Sequence, residues 1–174
     1  MKRSDIDPMP AFFDRYINLV EDIDLLEALE TYSPEALFSE VDSLEALGDS
    51  VYAPGKWTIR DIIHHCIDTE RIMSYRALRF ARNDQTPLPG FEENDYAQNT
   101  LASERTLEDL LDEYEIVRAA TLAQFQHFNE TMLRRSGKAS ASIISVGALG
   151  YVIVGHAIHH MNVIRERYFP LLNS

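Results

Sequence analysis

Apolar residues recur along this chain at intervals of three and four, the spacing that places them on one face of a helix. The clearest stretch is Thr58 to Arg82, which holds neither glycine nor proline and carries apolar residues at 59, 62, 63, 66, 73, 77 and 80. Turn chemistry at Pro54-Gly55 precedes it. Upstream, Ser33-Pro34-Glu35 places a capping hydroxyl before a proline at the first helical position. Leu37, Val41, Leu44 and Leu47 then predict a first long helix ending near Gly48. Before it, Phe12, Phe13, Tyr16, Ile17, Leu19 and Val20 predict a shorter helix packed across the body. Thr106-Leu107-Glu108-Asp109 is an N-terminal capping pattern, after which Leu110, Tyr114, Val117, Thr121 and Phe125 mark a third long helix. Gly137 to Ser140 reads as a turn. The fourth helix is expected from about Ser142 to Tyr168, with Gly147, Gly150 and Gly155 lowering its propensity and inviting a close neighbour.

No strand pair is apparent, and four long amphipathic helices need one another to bury their apolar stripes. The expected fold class is therefore all-α, a four-helix bundle. Residues 83–100 contain Thr86-Pro87-Leu88-Pro89-Gly90-Phe91 and then Glu92-Glu93-Asn94-Asp95, a long punctuated connection. It is long enough to serve as a crossover between the second and third helices. The 174 residues suit one domain, 1–174, with the bundle core at about 33–169.

Charge narrows the partners. A formal net charge of -12 disfavours nucleic acid and anionic lipid surfaces, because both are bound largely through Lys and Arg. The single cysteine, Cys66, precludes an intrachain disulfide and the zinc patterns that need several thiolates. It falls on the apolar stripe of the second helix and reads as core packing. The N-terminal residues turn acidic where a signal peptide would be apolar, and the longest weakly polar run, Ile143 to Gly155, is well short of the roughly 20 residues that span a bilayer. The expectation is a soluble, cytoplasmic protein.

The chemistry lies in the histidines. Along the last helix the apolar stripe is Val146, Leu149, Ile153, Ala157 and Ile164, with His160 inside it and His156 on its edge. Their i, i+4 spacing stacks both imidazoles on one face, as when one helix gives two ligands to one metal. On the second helix His65 flanks the stripe beside Thr69, whereas His64 projects toward solvent. His159 points away from His156 and His160, and His127 has no companion. A lone histidine on an apolar face is more often a satisfied core residue, but three imidazoles converging between two helices are costly to bury without shared partners. Zinc, nickel, iron or copper would satisfy them and keep a position open for water or substrate. Arg76, on the inner side of its helix, is expected to pair with an acidic residue of a neighbouring helix or, alternatively, to meet a substrate anion. Asp68 and Glu70 are expected to be solvated or interhelical, Thr69 to pack, and the acidic loop at 92–95 to be solvated or to cover the site mouth.

The segments around these histidines add a resemblance. Tyr52-Ala53-Pro54-Gly55-Lys56-Trp57-Thr58-Ile59-Arg60-Asp61, running into His65, resembles the opening of the second helix in the DinB-like family. Gly155-His156-Ala157-Ile158-His159-His160 resembles that family's second histidine motif, and Tyr75 to Arg82 and Leu88-Pro89-Gly90-Phe91 are similar to one subgroup. The resemblance covers about Ser33 to Phe169. It implies a bundle with a crossover, commonly a homodimer, and a divalent metal, zinc or nickel first, held by His65, His156 and His160. It also implies a metal-dependent enzyme acting on a small molecule, either a transferase using a low-molecular-weight thiol or a hydrolase using water. A metal-binding module without turnover, its metal structural or sensory, is the alternative, because fold does not fix function.

Overall fold

The computed structural model describes residues 1–173. The first part of the chain forms short helices: α1 (Asp14–Ile17), α2 (Leu25–Thr31), α3 (Pro34–Leu37) and α4 (Val41–Leu47). The single helix expected from Ser33 to Gly48 is thus two. Ser33 does cap, accepting the Ala36 amide at 3.2 Å with Pro34 in the first turn. Phe38 then leaves helical geometry and turns its ring into the core beside Tyr114, the centroids 6.0 Å apart. A buried aromatic between Leu37 and Val41 interrupts the spacing that suggested continuity. The unanticipated α2 starts where the Asp24 carboxylate accepts the Leu26 amide at 3.0 Å.

Three long helices follow, with shorter elements between them. They are α5 (Ile59–Ala81), α6 (Glu93–Gln98), α7 (Leu107–Phe125), α8 (Glu130–Arg134), the strands β1 (Ser136–Ala139) and β2 (Ser142–Ser145), and α9 (Val146–Val163). Thr58 starts α5 with a reciprocal cap: its hydroxyl accepts the Asp61 amide at 3.2 Å, and the Asp61 carboxylate accepts the Thr58 amide at 3.0 Å. Thr106 caps α7 by the hydroxyl alone, which accepts the Asp109 amide at 3.1 Å. Helix α5 packs on both α7 and α9, and α2 packs on the same two helices. The result is a four-helix bundle in which the connection carrying α6 crosses from α5 to α7.

Helix α9 is buried on every side from Val146 to Ala157, as an apolar helix without a polar face must be. Gly155 lets α1 lie directly on it, since a Cβ there would stand 2.0 Å from the Tyr16 carbonyl oxygen. Two limits of this helix differ from expectation. It begins at Val146, where Ser145 accepts the Ala148 amide at 3.2 Å, and it ends at Val163, followed by a π-helical turn over Ile164–Tyr168. Residues 142–145 instead pair antiparallel with 136–139, Ser136 opposite Ser145 and Ala139 opposite Ser142, around a turn in which Ser140 has φ 55°. Four alternating residues carry little periodicity, and Ile143-Ile144 run without a break into the apolar text of α9.

One buried ion pair joins three bundle elements. Arg118 of α7 donates from Nε and Nη2 to the Glu70 carboxylate of α5, both at 2.9 Å, and from Nη1 to the carbonyls of Leu29 and Tyr32 at the end of α2. Glu70 is therefore interhelical. None of the described helices is long and apolar enough to cross a membrane.

Candidate metal centre

His65 projects from α5, and His156 and His160 from successive turns of α9. Their nitrogens meet: His156 Nε2 lies 3.1 Å from His65 Nε2 and 3.1 Å from His160 Nε2, and ligand atoms of all three lie within 4.8 Å of one another. Hydrogen bonding alone cannot satisfy this arrangement. An imidazole nitrogen carries either one proton or one in-plane lone pair, so His156 Nε2 can make one of its two short contacts a hydrogen bond but not both. Three lone pairs aimed at one cation leave no such conflict. Nitrogens bound at about 2.0–2.1 Å around a tetrahedral ion stand about 3.3 Å apart, close to the two 3.1 Å spacings at His156. The cluster is able to coordinate a metal ion.

Protonation favours the same chemistry. Burial pushes the His65 imidazole down to about 4. Burial, and then the neighbouring His65 and His159, bring His160 to about 3. His156 is held well below its ordinary value by burial and by His160 and His65. All three rings are neutral near pH 7, which is the form that donates to a metal.

Aromatic rings hold these imidazoles in place. Trp57 lies against His65 with centroids 4.7 Å apart, and Tyr16 of α1 meets His156 edge-on at 5.3 Å. The Tyr168 hydroxyl donates to the Trp57 carbonyl at 2.5 Å, so the turn after α9 fixes the loop that places Trp57. Sequence periodicity could not assign Trp57 or Tyr16 a role: Trp57 precedes its helix, and Tyr16 sits on a helix of four residues. Beside His160 opens a cavity of about 300 Å³, lined by Tyr52, Lys56, Trp57, Asn94 and His159 among others. Asn94 comes from α6, and Glu93 and Tyr96 of the same helix line a narrow gap beside His65. The acidic segment of the crossover thus covers the flank of the site.

Other expectations fare unevenly. His159 stays outside the cluster yet does not point away from it; its ring is 5.2 Å from that of His160 and borders the same cavity. His64 is not in open solvent, because the crossover lies over it. Its side chain is 16 % exposed, with Nδ1 3.4 Å from the Asp68 carboxylate. Cys66 is buried, and burial pushes its thiol far up, as core packing implies. Thr69 is buried one turn from His65, with no hydrogen-bond partner for its hydroxyl among the described residues. Arg76 departs most. It is buried, and no carboxylate pairs with it among the described residues. It donates instead to the Pro89 carbonyl at 2.9 Å.

A four-helix bundle with a crossover and a three-histidine cluster between two of its long helices defines a recognisable class. Residues 14–164 match the DinB superfamily, and the chain belongs to it. Its fold resembles that of YfiT from Bacillus subtilis, described as a probable metal-dependent hydrolase with an unusual four-helix bundle topology, at a TM-score of 0.74 and 19% identity over 87% of this chain and 91% of that one. A candidate metal-dependent hydrolase of Oceanobacillus iheyensis is 37% identical over 82 residues, 45% of this chain. The match spans about half the length of that relative, 46%.

Proposed function

We propose that His65, His156 and His160 bind one divalent transition metal, zinc or nickel in the first instance, and that the protein is a metal-dependent enzyme acting on a small molecule. The observation that carries this reading is the cavity of about 300 Å³ beside His160, since a structural site would be closed around its ion. A divalent ion held by His65, His156 and His160 would supply Lewis-acid chemistry, lowering the pKa of water or of a small thiol and polarising an electrophile. The three neutral imidazoles supply no negative charge and would leave the ion its full charge for that purpose. Trp57 and Tyr16 fix the ring planes, which preserves the direction of the three lone pairs. His159, half-buried at the cavity wall with its pKa lowered by burial and by Arg15, is unprotonated near pH 7 and placed to accept a proton from a nucleophile entering beside His160. Lys56 offers a cation at the same wall. Both candidate reactions balance: water splits an ester or amide into acid and alcohol or amine, and a thiol displaces a leaving group that departs with its electron pair.

The test is a screen of activated esters, amides and alkylating electrophiles, with and without small thiols, using metal-loaded protein, metal-stripped protein and His156→Ala in parallel. Turnover that appears only in the first sample is expected. A coordination spectrum showing four protein ligands, together with no turnover, would instead favour a structural or sensory metal.

A further inference from the structure

We propose a second binding site, away from the histidines, in which Arg76 holds the carboxylate of a small organic anion whose apolar body rests against Phe91 and Leu88. Arg76 is 3 % exposed, and a guanidinium stays protonated even when burial lowers its pKa, as it does here. Its partners among the described residues are all neutral: Nη2 donates to the Pro89 carbonyl at 2.9 Å and the Ser140 hydroxyl at 3.4 Å, and Nη1 to the Met73 sulfur at 3.6 Å. The Phe91 ring, 6.0 Å from the guanidinium carbon, offers only a weak further attraction. A buried charge without a counter-charge is unfavourable, and the three neutral acceptors around Arg76 do not offset it. The guanidinium fork is matched to two anionic oxygens, which would supply the missing charge.

The surroundings supply the rest of a site. Arg76 borders a cavity of about 440 Å³ between α5 and the segment from Thr86 to Phe91, a size suited to a small ligand. Its walls are mainly apolar, and Arg79 at its rim is already paired with Asp84. That leaves Arg76 as the unneutralised cation there. The segment is held firmly. Leu88 donates its amide to the Lys138 carbonyl at 2.9 Å, and Ser140 donates its amide to the Leu88 carbonyl at 3.0 Å, so the hairpin turn and the Leu88-Pro89-Gly90 segment brace each other behind Arg76. Arg76 follows His65 by eleven residues, about 16 Å along α5 and on nearly the same face, too far for one small anion to reach both.

Benzoate, benzyl alcohol and inorganic phosphate separate the ingredients, with binding followed through the amide resonances of Gly90 and Phe91 in the metal-loaded protein. Benzoate should bind saturably, benzyl alcohol and phosphate more weakly. Arg76→Gln should weaken benzoate by about tenfold, as the loss of one charge-assisted pair implies. His160→Ala should leave it unchanged, whereas an anion coordinated to the metal would be lost in His160→Ala and kept in Arg76→Gln. Equal binding of benzoate and benzyl alcohol, phosphate binding as tightly as benzoate, or an unaffected Arg76→Gln would each overturn the proposal. Should Arg76→Gln fail to fold, Arg76→Lys and Phe91→Ala must both weaken benzoate, and unchanged affinity in both would refute it.

Discussion

Replacing Gly155 by alanine tests how the N-terminal helix is held against the cluster. The new Cβ would meet the Tyr16 carbonyl oxygen at 2.0 Å and the Tyr16 carbonyl carbon at 2.5 Å, against roughly 3.5 Å or more for an ordinary contact. Both are backbone atoms, so the strain is relieved only by moving α1 outward by about 1 Å or by bending α9. Overpacking of this kind costs about 1–3 kcal/mol, and the gain in helix propensity from glycine to alanine returns up to about 1 kcal/mol. A clash with backbone belongs to the upper part of that range, about 2–3 kcal/mol, so the expected net loss is about 1–2 kcal/mol, or a fall in Tm of about 2–8 °C for a chain of this size. Gly147→Ala is the internal control. In the first turn of α9 it receives at most the same propensity gain, but its Cβ would meet chiefly the Met1 side chain, whose sulfur and terminal methyl lie 2.3 Å and 3.0 Å away and can swing aside. Thermal unfolding by circular dichroism reads both variants. Because Tyr16 also packs on His156, Gly155→Ala should weaken metal retention, which Gly147→Ala should leave alone. A Gly155→Ala protein as stable as Gly147→Ala, with wild-type metal retention, would refute the close approach of α1 and its role beside His156.

Other outcomes follow from buried charges. Arg118→Met strands the Glu70 carboxylate, only 1 % exposed, and should cost about 3–5 kcal/mol in urea unfolding, with Glu70→Gln added to it recovering part of the loss. In metal-stripped protein, folded His65 and His160 titrate near 4 and 3, below the ordinary 6.5 of an unfolded chain, so the unfolded state binds more protons in that window. Stability should therefore be fully present above about pH 6.5 and fall as the pH drops toward 4. The fall is on the order of 3 kcal/mol for His65 alone, and urea unfolding of a His65→Gln variant should show a shallower fall. Replacing His64 or His159 by glutamine should leave metal affinity within a few-fold by competition titration, because neither belongs to the cluster.

The parts of the fold that sequence made legible are those governed by long repeats. Helices α5 and α7 carry both a cap and a stripe, and the structure places them near the expected limits. The histidines were legible for the same reason: on a long helix, a 100° step per residue fixes which of two adjacent side chains faces inward. Selecting His65 over His64 and His160 over His159 needed nothing more. What periodicity could not give is whatever depends on tertiary cover. His64 does lie outside the bundle interior, but α6 crosses over it, and His159 lies off the stripe yet beside His160. The break at Phe38 and the hairpin at 136–145 are too local for a repeat of three or four residues to register. Arg76 shows the converse case. Its position inside the bundle was readable, but its partners come from Pro89 and Ser140, two connections whose geometry no helical pattern specifies.

Elemental analysis of protein purified without a tag or added metal decides whether His65, His156 and His160 form one metal site. Wild type should be run alongside His65→Ala, His156→Ala and His160→Ala, with His159→Gln as the control. The expected result is about one transition-metal ion per chain in wild type and His159→Gln, and loss of most of it in each of the three alanine variants, all four variants retaining wild-type helicity. Wild-type metal content in His65→Ala and His160→Ala, or a folded wild-type protein that takes up no divalent metal even when it is offered in excess, would contradict the account.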